Sequence, residues 1–341
     1  MIQTIELTSE QHKEIVNTYQ LFTVYQERME HANHFQGSMS WKTVNGRDYL
    51  YKKIKGYAKC LGVRNEETEC TYQSFVTGKI ASRKAVTDIF EQMKVQARYA
   101  KAARINRMPI MPAKIIRKIQ KNGLGDQISI IGTHAMYGYE SMASKYITAG
   151  LMETADIDFL WDKRMPLLLS INNIQEDGML GILQSVDRSF ERMKAPYRAV
   201  NSKGFIVDLI SDEHDIRGKF PVSIGHGKHD IQSASIGSLK WLINAPRVIA
   251  TVIDAQGFPL NIRIPDPRCF AVHKAWLSRQ SSRGTDKAHR DLQQAKVVAS
   301  MIVNDMAGFD FTDEQLQMFP VDIRNQAKDE LHLDDDWMPS M

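Results

Sequence analysis

Two short apolar runs carry carboxylates where a chain can least accommodate them. Residues 156–161 read Asp156-Ile157-Asp158-Phe159-Leu160-Trp161, and residues 205–210 read Phe205-Ile206-Val207-Asp208-Leu209-Ile210. β-branched and aromatic residues favour strands, and side chains alternate along a strand. Asp156 and Asp158 therefore share one face, while Ile157 and Phe159 take the other. Two carboxylates side by side repel, and near a core they are costly unless a cation lies between them. Asp208, alone among apolar neighbours, poses the same problem again. If the two runs are adjacent strands, the three carboxylates form one hard-oxygen set suited to Mg2+.

A third apolar run, Ile128-Ser129-Ile130-Ile131, leads into Gly132-Thr133-His134-Ala135 and then a helix-like segment. The free N–H groups at a helix start favour anions. Gly132 permits close backbone approach, and the Thr133 hydroxyl can donate to a phosphate oxygen. His134 reads as a packed or capping histidine rather than a substrate contact. Together the three runs suit metal-assisted phosphoryl chemistry, in which two ions on shared carboxylates neutralise a triphosphate and lower the pKa of an attacking hydroxyl.

Gly-Thr at a strand–helix turn, Asp156-x-Asp158 on the next strand and a later Asp208 resemble the pattern of the polymerase-beta-like nucleotidyltransferase superfamily. The stretch is most similar to a bacterial nucleotidyltransferase-fold family, related to the nucleotidyltransferase toxins of abortive-infection systems. Thr133 stands where many members have Ser, which keeps the hydroxyl. The Gly46-Arg47-Asp48-Tyr49-Leu50 core, Lys59-Cys60-Leu61-Gly62 and Glu67-Thr68-Glu69 continue the resemblance. It implies an α/β fold, a mixed sheet flanked by helices. It also implies transfer of NMP from an NTP to an RNA (tRNA by analogy) or protein hydroxyl, releasing pyrophosphate.

In that reading Asp156, Asp158 and Asp208 are catalytic and hold two Mg2+ ions, with Mn2+ as a substitute. Gly132 and Thr133 hold the β- and γ-phosphates. Lys274, on a helix after the last hairpin, reaches the triphosphate, and Arg279, Lys287 and Asp291 occupy places comparable to family residues. Arg164, just after the carboxylate strand, either reaches a phosphate or pairs with Asp162. A toxin or phage-defence role would bring an antitoxin or other regulatory partner. The competing reading is a nucleic-acid- or partner-binding protein that keeps the fold without turnover.

The 341 residues suffice for two or three domains. Cys60, Cys70 and Cys269 form no CxxC pair and fit a reducing cytoplasm. Neither a signal peptide nor an apolar run of membrane-spanning length is present, so no membrane partner is expected. The net charge of +4 is mild, but residues 79–121 carry about a dozen basic residues against Asp88 and Glu91. That asymmetry suits a solvated face or a surface for RNA, DNA or an acidic protein.

Four regions are expected. Residues 1–110 form a basic region with helices over 8–35 and 80–106 and a hairpin over 39–54, turned at Asn45-Gly46. Its Trp41, Tyr49, Tyr51, Lys52, Lys53 and Lys55 suit either base stacking or a charge-protected edge. Residues 111–265 form the core, with the boundary placed within the Arg107–Pro112 connector. Within it, helix is expected over 166–198, a loop over 223–238 containing His226 and His229, and a hairpin around Gly257. Residues 266–325 form a C-terminal helical region with a helix from Thr312, and residues 326–341 an acidic, disordered tail.

Overall fold

The structure, a computed structural model, describes residues 4–54, 56–164, 174–211, 223–225, 227–311 and 314–333. Lys55, His226, the start of the expected 166–198 helix, Thr312 and residues 334–341 of the expected acidic tail lie outside them. Residues 326–331 of that tail are not disordered but continue the helix Val321–Leu331, which buries Ala327 and Leu331. In chain order the elements are β1 (Thr4–Glu6), α1 (Ser9–His34), β2 (Ser38–Val44), β3 (Arg47–Ile54), β4 (Tyr57–Val63), α2 (Glu66–Ala102) and α3 (Ile110–Lys121). Then come β5 (Ile128–Ile131), a 3-10 turn (Gly132–Ala135), α4 (Met136–Ala143), β6 (Lys145–Ile147), α5 (Ala149–Met152) and β7 (Asp156–Trp161). α6 (Ile174–Val186), β8 (Glu191–Arg192), β9 (Arg198–Val200), β10 (Ile206–Ser211), β11 (Ala234–Ser235) and α7 (Leu239–Asn244) follow. The chain continues through β12 (Arg247–Ile253), β13 (Pro259–Pro265), α8 (Pro267–Ser278), α9 (Thr285–Asp305), a 3-10 turn (Glu314–Leu316) and α10 (Val321–Leu331).

The chain divides into two compact units, one of Met1–Ser9, Arg107–Ala255 and Leu260–Met341, the other of Glu10–Asn106 and Gln256–Pro259. The first break thus falls just before the expected one at residue 110. The C-terminal helices, expected as a region of their own from residue 266, belong to the same unit as the sheet.

The second unit holds α1, α2 and the antiparallel meander β2-β3-β4. The turn at Asn45-Gly46, both with positive φ, makes the expected hairpin. The sequence reading stopped short of its third strand. It also started α2 fourteen residues late, at 80 rather than Glu66. The start is fixed by a capping box, with Asn65 Oδ1 accepting from the Thr68 N–H at 2.8 Å and Thr68 Oγ1 accepting from the Asn65 N–H at 2.9 Å.

The larger unit is built on a mixed sheet in the order β5-β7-β10-β9-β8, with β11 beside the end of β10. β5 runs antiparallel to β7, β10 parallel to β7, and β9 antiparallel to β10. Ile157, Phe159, Trp161, Val207 and Leu209 are buried, so both central strands face a core. The helix expected over 166–198 ends at Val186, and the chain turns into β8 and β9. Asp230, in the expected loop over 223–238, explains part of that shape. Its carboxylate accepts from the backbone N–H groups of Leu180, Gly225 and Ile231 at 2.8–2.9 Å. It thereby caps the part of α6 that follows Gly178, whose φ is +56°. The β12–β13 hairpin and α8 fall where expected, and Asp266 caps α8 by accepting from the Arg268 N–H at 2.9 Å.

Candidate active site

Strand register brings the three carboxylates of the sequence reading together. Asp208 on β10 pairs in register with Asp158 on β7, and Ile206 pairs with Asp156. Registered residues of neighbouring strands point the same way, so all three acids rise from one face. Enclosure and then repulsion from Asp156 and Asp208 push the half-buried Asp158 carboxyl up to about 7, while Lys274 and Arg198 pull it down.

Gly132 follows β5, whose last residue Ile131 is registered with Asp158. Its φ is +66°, and a Cβ there would stand 2.5 Å from Asp158 Oδ2. Glycine is required twice over, for the turn and for the carboxylate to approach the backbone. Thr133 is buried, and its Oγ1 accepts from Gln294 Nε2 of α9 at 3.2 Å. The same amide donates to Leu151 O at 2.8 Å. His134 is packed as expected, and burial lowers its pKa to about 4, leaving it neutral.

The basic residues divide. Lys274 Nζ is buried and bonds Asp291 Oδ1 at 2.6 Å, and Arg283 Nε bonds the other oxygen at 2.7 Å. Lys274 remains close enough to lower the Asp158 pKa. Arg164 does not join the carboxylates. It donates to Asp162 at 2.9 Å and to Asn244 at 2.6 Å, the pairing that was its alternative reading. It follows the far end of β7, on the order of 16 Å of strand beyond Asp156. Arg279 closes α8 and pairs with Glu330 at 2.8 Å.

Arg198, absent from the sequence reading, grips Asp208 with two bonds, Nε to Oδ1 at 2.7 Å and Nη2 to Oδ2 at 2.5 Å. It is the register partner of Asp208 on β9. No sequence signal marks it, because its importance comes from strand pairing alone.

The three carboxylates on one face are hard-oxygen donors of the kind divalent cations take, and burial followed by the negative neighbours raises the Asp158 carboxyl. Among the described residues no group of three or more His, Cys, Asp or Glu side chains is arranged to hold a metal ion as it stands. Asp208 is engaged by Arg198, and Asp156 accepts a short bond from the Thr154 hydroxyl.

A cavity of about 760 Å³ opens beside Asp156, with walls from α4, α5, α9 and the start of β10. An acid-lined face, a glycine turn and an adjoining cavity of nucleotide size define a phosphoryl-transfer type of site. The profile of the Nucleotidyltransferase family matches residues 111–319, more than half of the chain, and the chain belongs to that family. The match spans every site residue described above. No curated protein matches the chain. No solved structure matches it either.

Proposed function

We propose that this chain transfers a nucleoside monophosphate from an NTP to a hydroxyl acceptor, with RNA as the acceptor class. The observation that supports it best is the register of Asp158 with Asp208 beside Gly132, inside the segment matched by the family. The acceptor oxygen attacks the α-phosphorus, the bond to the β-phosphate oxygen breaks, and pyrophosphate leaves. Asp156 and Asp158 would hold Mg2+ or Mn2+, and Asp208 would complete the set. When bound, the ions supply charge neutralisation and a lowered pKa at the attacking hydroxyl.

The chain's own groups do the rest by positioning. Gly132 leaves room for phosphate oxygens against the turn, and Thr133 presents a hydroxyl held by Gln294. Lys274, itself paired with Asp291, helps keep the Asp158 carboxyl ionised. Arg198 fixes the Asp208 carboxylate for its part in taking up the acceptor proton.

The test is incubation with each α-labelled NTP, Mg2+ or Mn2+, total RNA and cell lysate, with D156N/D158N alongside. Label on RNA that disappears in the variant is expected. Label on a protein band would move the acceptor class, and no label with any nucleotide and either metal would sink the reading in favour of binding without turnover. The resemblance to abortive-infection toxins extends the proposal to growth arrest. Expression of the wild type should then stop growth, and expression of D156N/D158N should not.

A further inference from the structure

Around the carboxylates, most cations are already neutralised by the protein. Lys274 and Arg283 share Asp291, Arg198 holds Asp208, and Arg107 holds Glu140 at 2.6 Å. Arg290 is different. Its guanidinium makes one bond, to the Glu153 carbonyl at 3.2 Å, and among the described residues it makes no ion pair. It lines the cavity beside Asp156.

A second group faces the same space. Tyr137 is only 8% exposed and lines the cavity. Its hydroxyl forms no hydrogen bond among the described residues. A tyrosine hydroxyl without a protein partner is free to bond a ligand that enters the cavity. Here a buried aromatic face with a free hydroxyl, an unneutralised guanidinium and a metal-type carboxylate share one cavity. Met152 and Ile206 supply apolar wall. The volume lies within the roughly 300–1,000 Å³ usual for small-molecule sites.

We propose that this cavity seats the nucleoside triphosphate, with Arg290 binding its phosphates and Tyr137 contacting its nucleoside through ring and hydroxyl. The assignment rests on the nucleotidyl-transfer reading and gives the phosphate-binding place expected of Arg164 and Arg279 to Arg290. A polyanion needs a cation that no protein carboxylate already holds, and the small-molecule size of the cavity favours the triphosphate over an RNA acceptor. α9 also ties the two halves of the site, because Arg290 and Gln294 are one turn apart and Gln294 holds Thr133.

The test is calorimetric binding of the α,β-methylene analogues of the four ribonucleoside triphosphates, and of the four monophosphates, with Mg2+. R290A, R290K, Y137F and D156N/D158N are compared with the full-length wild type, each checked by circular dichroism. R290A should weaken triphosphate binding on the order of tenfold to a hundredfold, the scale of a lost charge-assisted bond pair, and monophosphate binding much less. R290K should fall between. Y137F should weaken both ligands by about the same factor, a few-fold, as loss of one neutral hydrogen bond does.

Wild-type affinity in both R290A and Y137F, with D156N/D158N weakened, would overturn this assignment and leave the transfer reading standing. Unchanged nucleotide affinity with a raised KM for the acceptor would overturn it in favour of an acceptor pocket. A wild-type chain that binds none of the eight ligands would overturn both readings together.

Discussion

Asp158 pays in stability for its place. A carboxyl raised to about 7 binds its proton more tightly in the folded chain than in the unfolded one. The folded state therefore loses stability as pH rises from about 4 towards 7. In D158N that loss is removed along with the repulsion. The metal-free variant should be more stable than wild type at pH 8, by on the order of 1–3 kcal/mol, while transfer activity disappears. Urea denaturation at pH 5 and pH 8 reads both effects, and a variant less stable than wild type at pH 8 would refute the strain. Gly132 tests the same contact from the other side. G132A places a methyl against Asp158 Oδ2 in a backbone region that alanine disfavours. It should cost about 1–3 kcal/mol and most of the activity. His273 acts in the opposite pH direction. Burial, helped by Lys274, lowers its pKa to about 3. Its contribution is whole above pH 6.5 and drains away as pH falls towards 3, at up to about 1.4 kcal/mol per pH unit. Replacing it with Gln should flatten the acid limb of the stability curve by up to one proton, read from denaturation midpoints between pH 7 and pH 4.5.

The α8–α9 pair is held by a buried charge cluster. The Lys274 and Asp291 side chains are 9% and 2% exposed, and Arg283 closes the other side of the carboxylate. Removing the acid alone strands Lys274 in the interior. D291A should destabilise by about 3–5 kcal/mol, and K274M/D291L should recover much of that loss. A double variant as unstable as D291A would show that packing, rather than charge, governs the pair. Much of this scale was legible from sequence. Alternation alone placed Asp156 and Asp158 on one face, and turn chemistry placed Gly132 at the end of β5. What stayed hidden depends on pairing between distant segments. Arg198 gains its role only because β9 lies antiparallel to β10, and no local pattern announces that. Arg164 misleads for the converse reason. It is close to the carboxylates in sequence, yet a strand carries the chain away from its own start at about 3.3 Å per residue. The start of α2 was missed because Glu67-Thr68-Glu69 was read as part of a resemblance rather than as the first turn after an Asn cap.

The net charge of +4 says little about partners, but its placement does. On α2, Arg83, Lys94, Arg98 and Lys101 are all exposed. At 100° per residue they fall within an arc of roughly 60° along about 27 Å of helix. Lys94 pairs with Glu91 at 2.7 Å, while the other three form no ion pair among the described residues. A one-sided stripe of that length matches several successive phosphates of a single strand. If RNA is the acceptor, reversing all four charges should weaken RNA binding and raise the RNA KM while leaving nucleotide affinity unchanged. It should also flatten the dependence of log K on log salt by about 3, since each lost phosphate contact on a single strand removes about 0.7. Filter binding at several salt concentrations measures the slope. A quadruple variant with the wild-type slope and wild-type labelling would leave α2 as a solvated face, and would shift the search for the acceptor to protein hydroxyls.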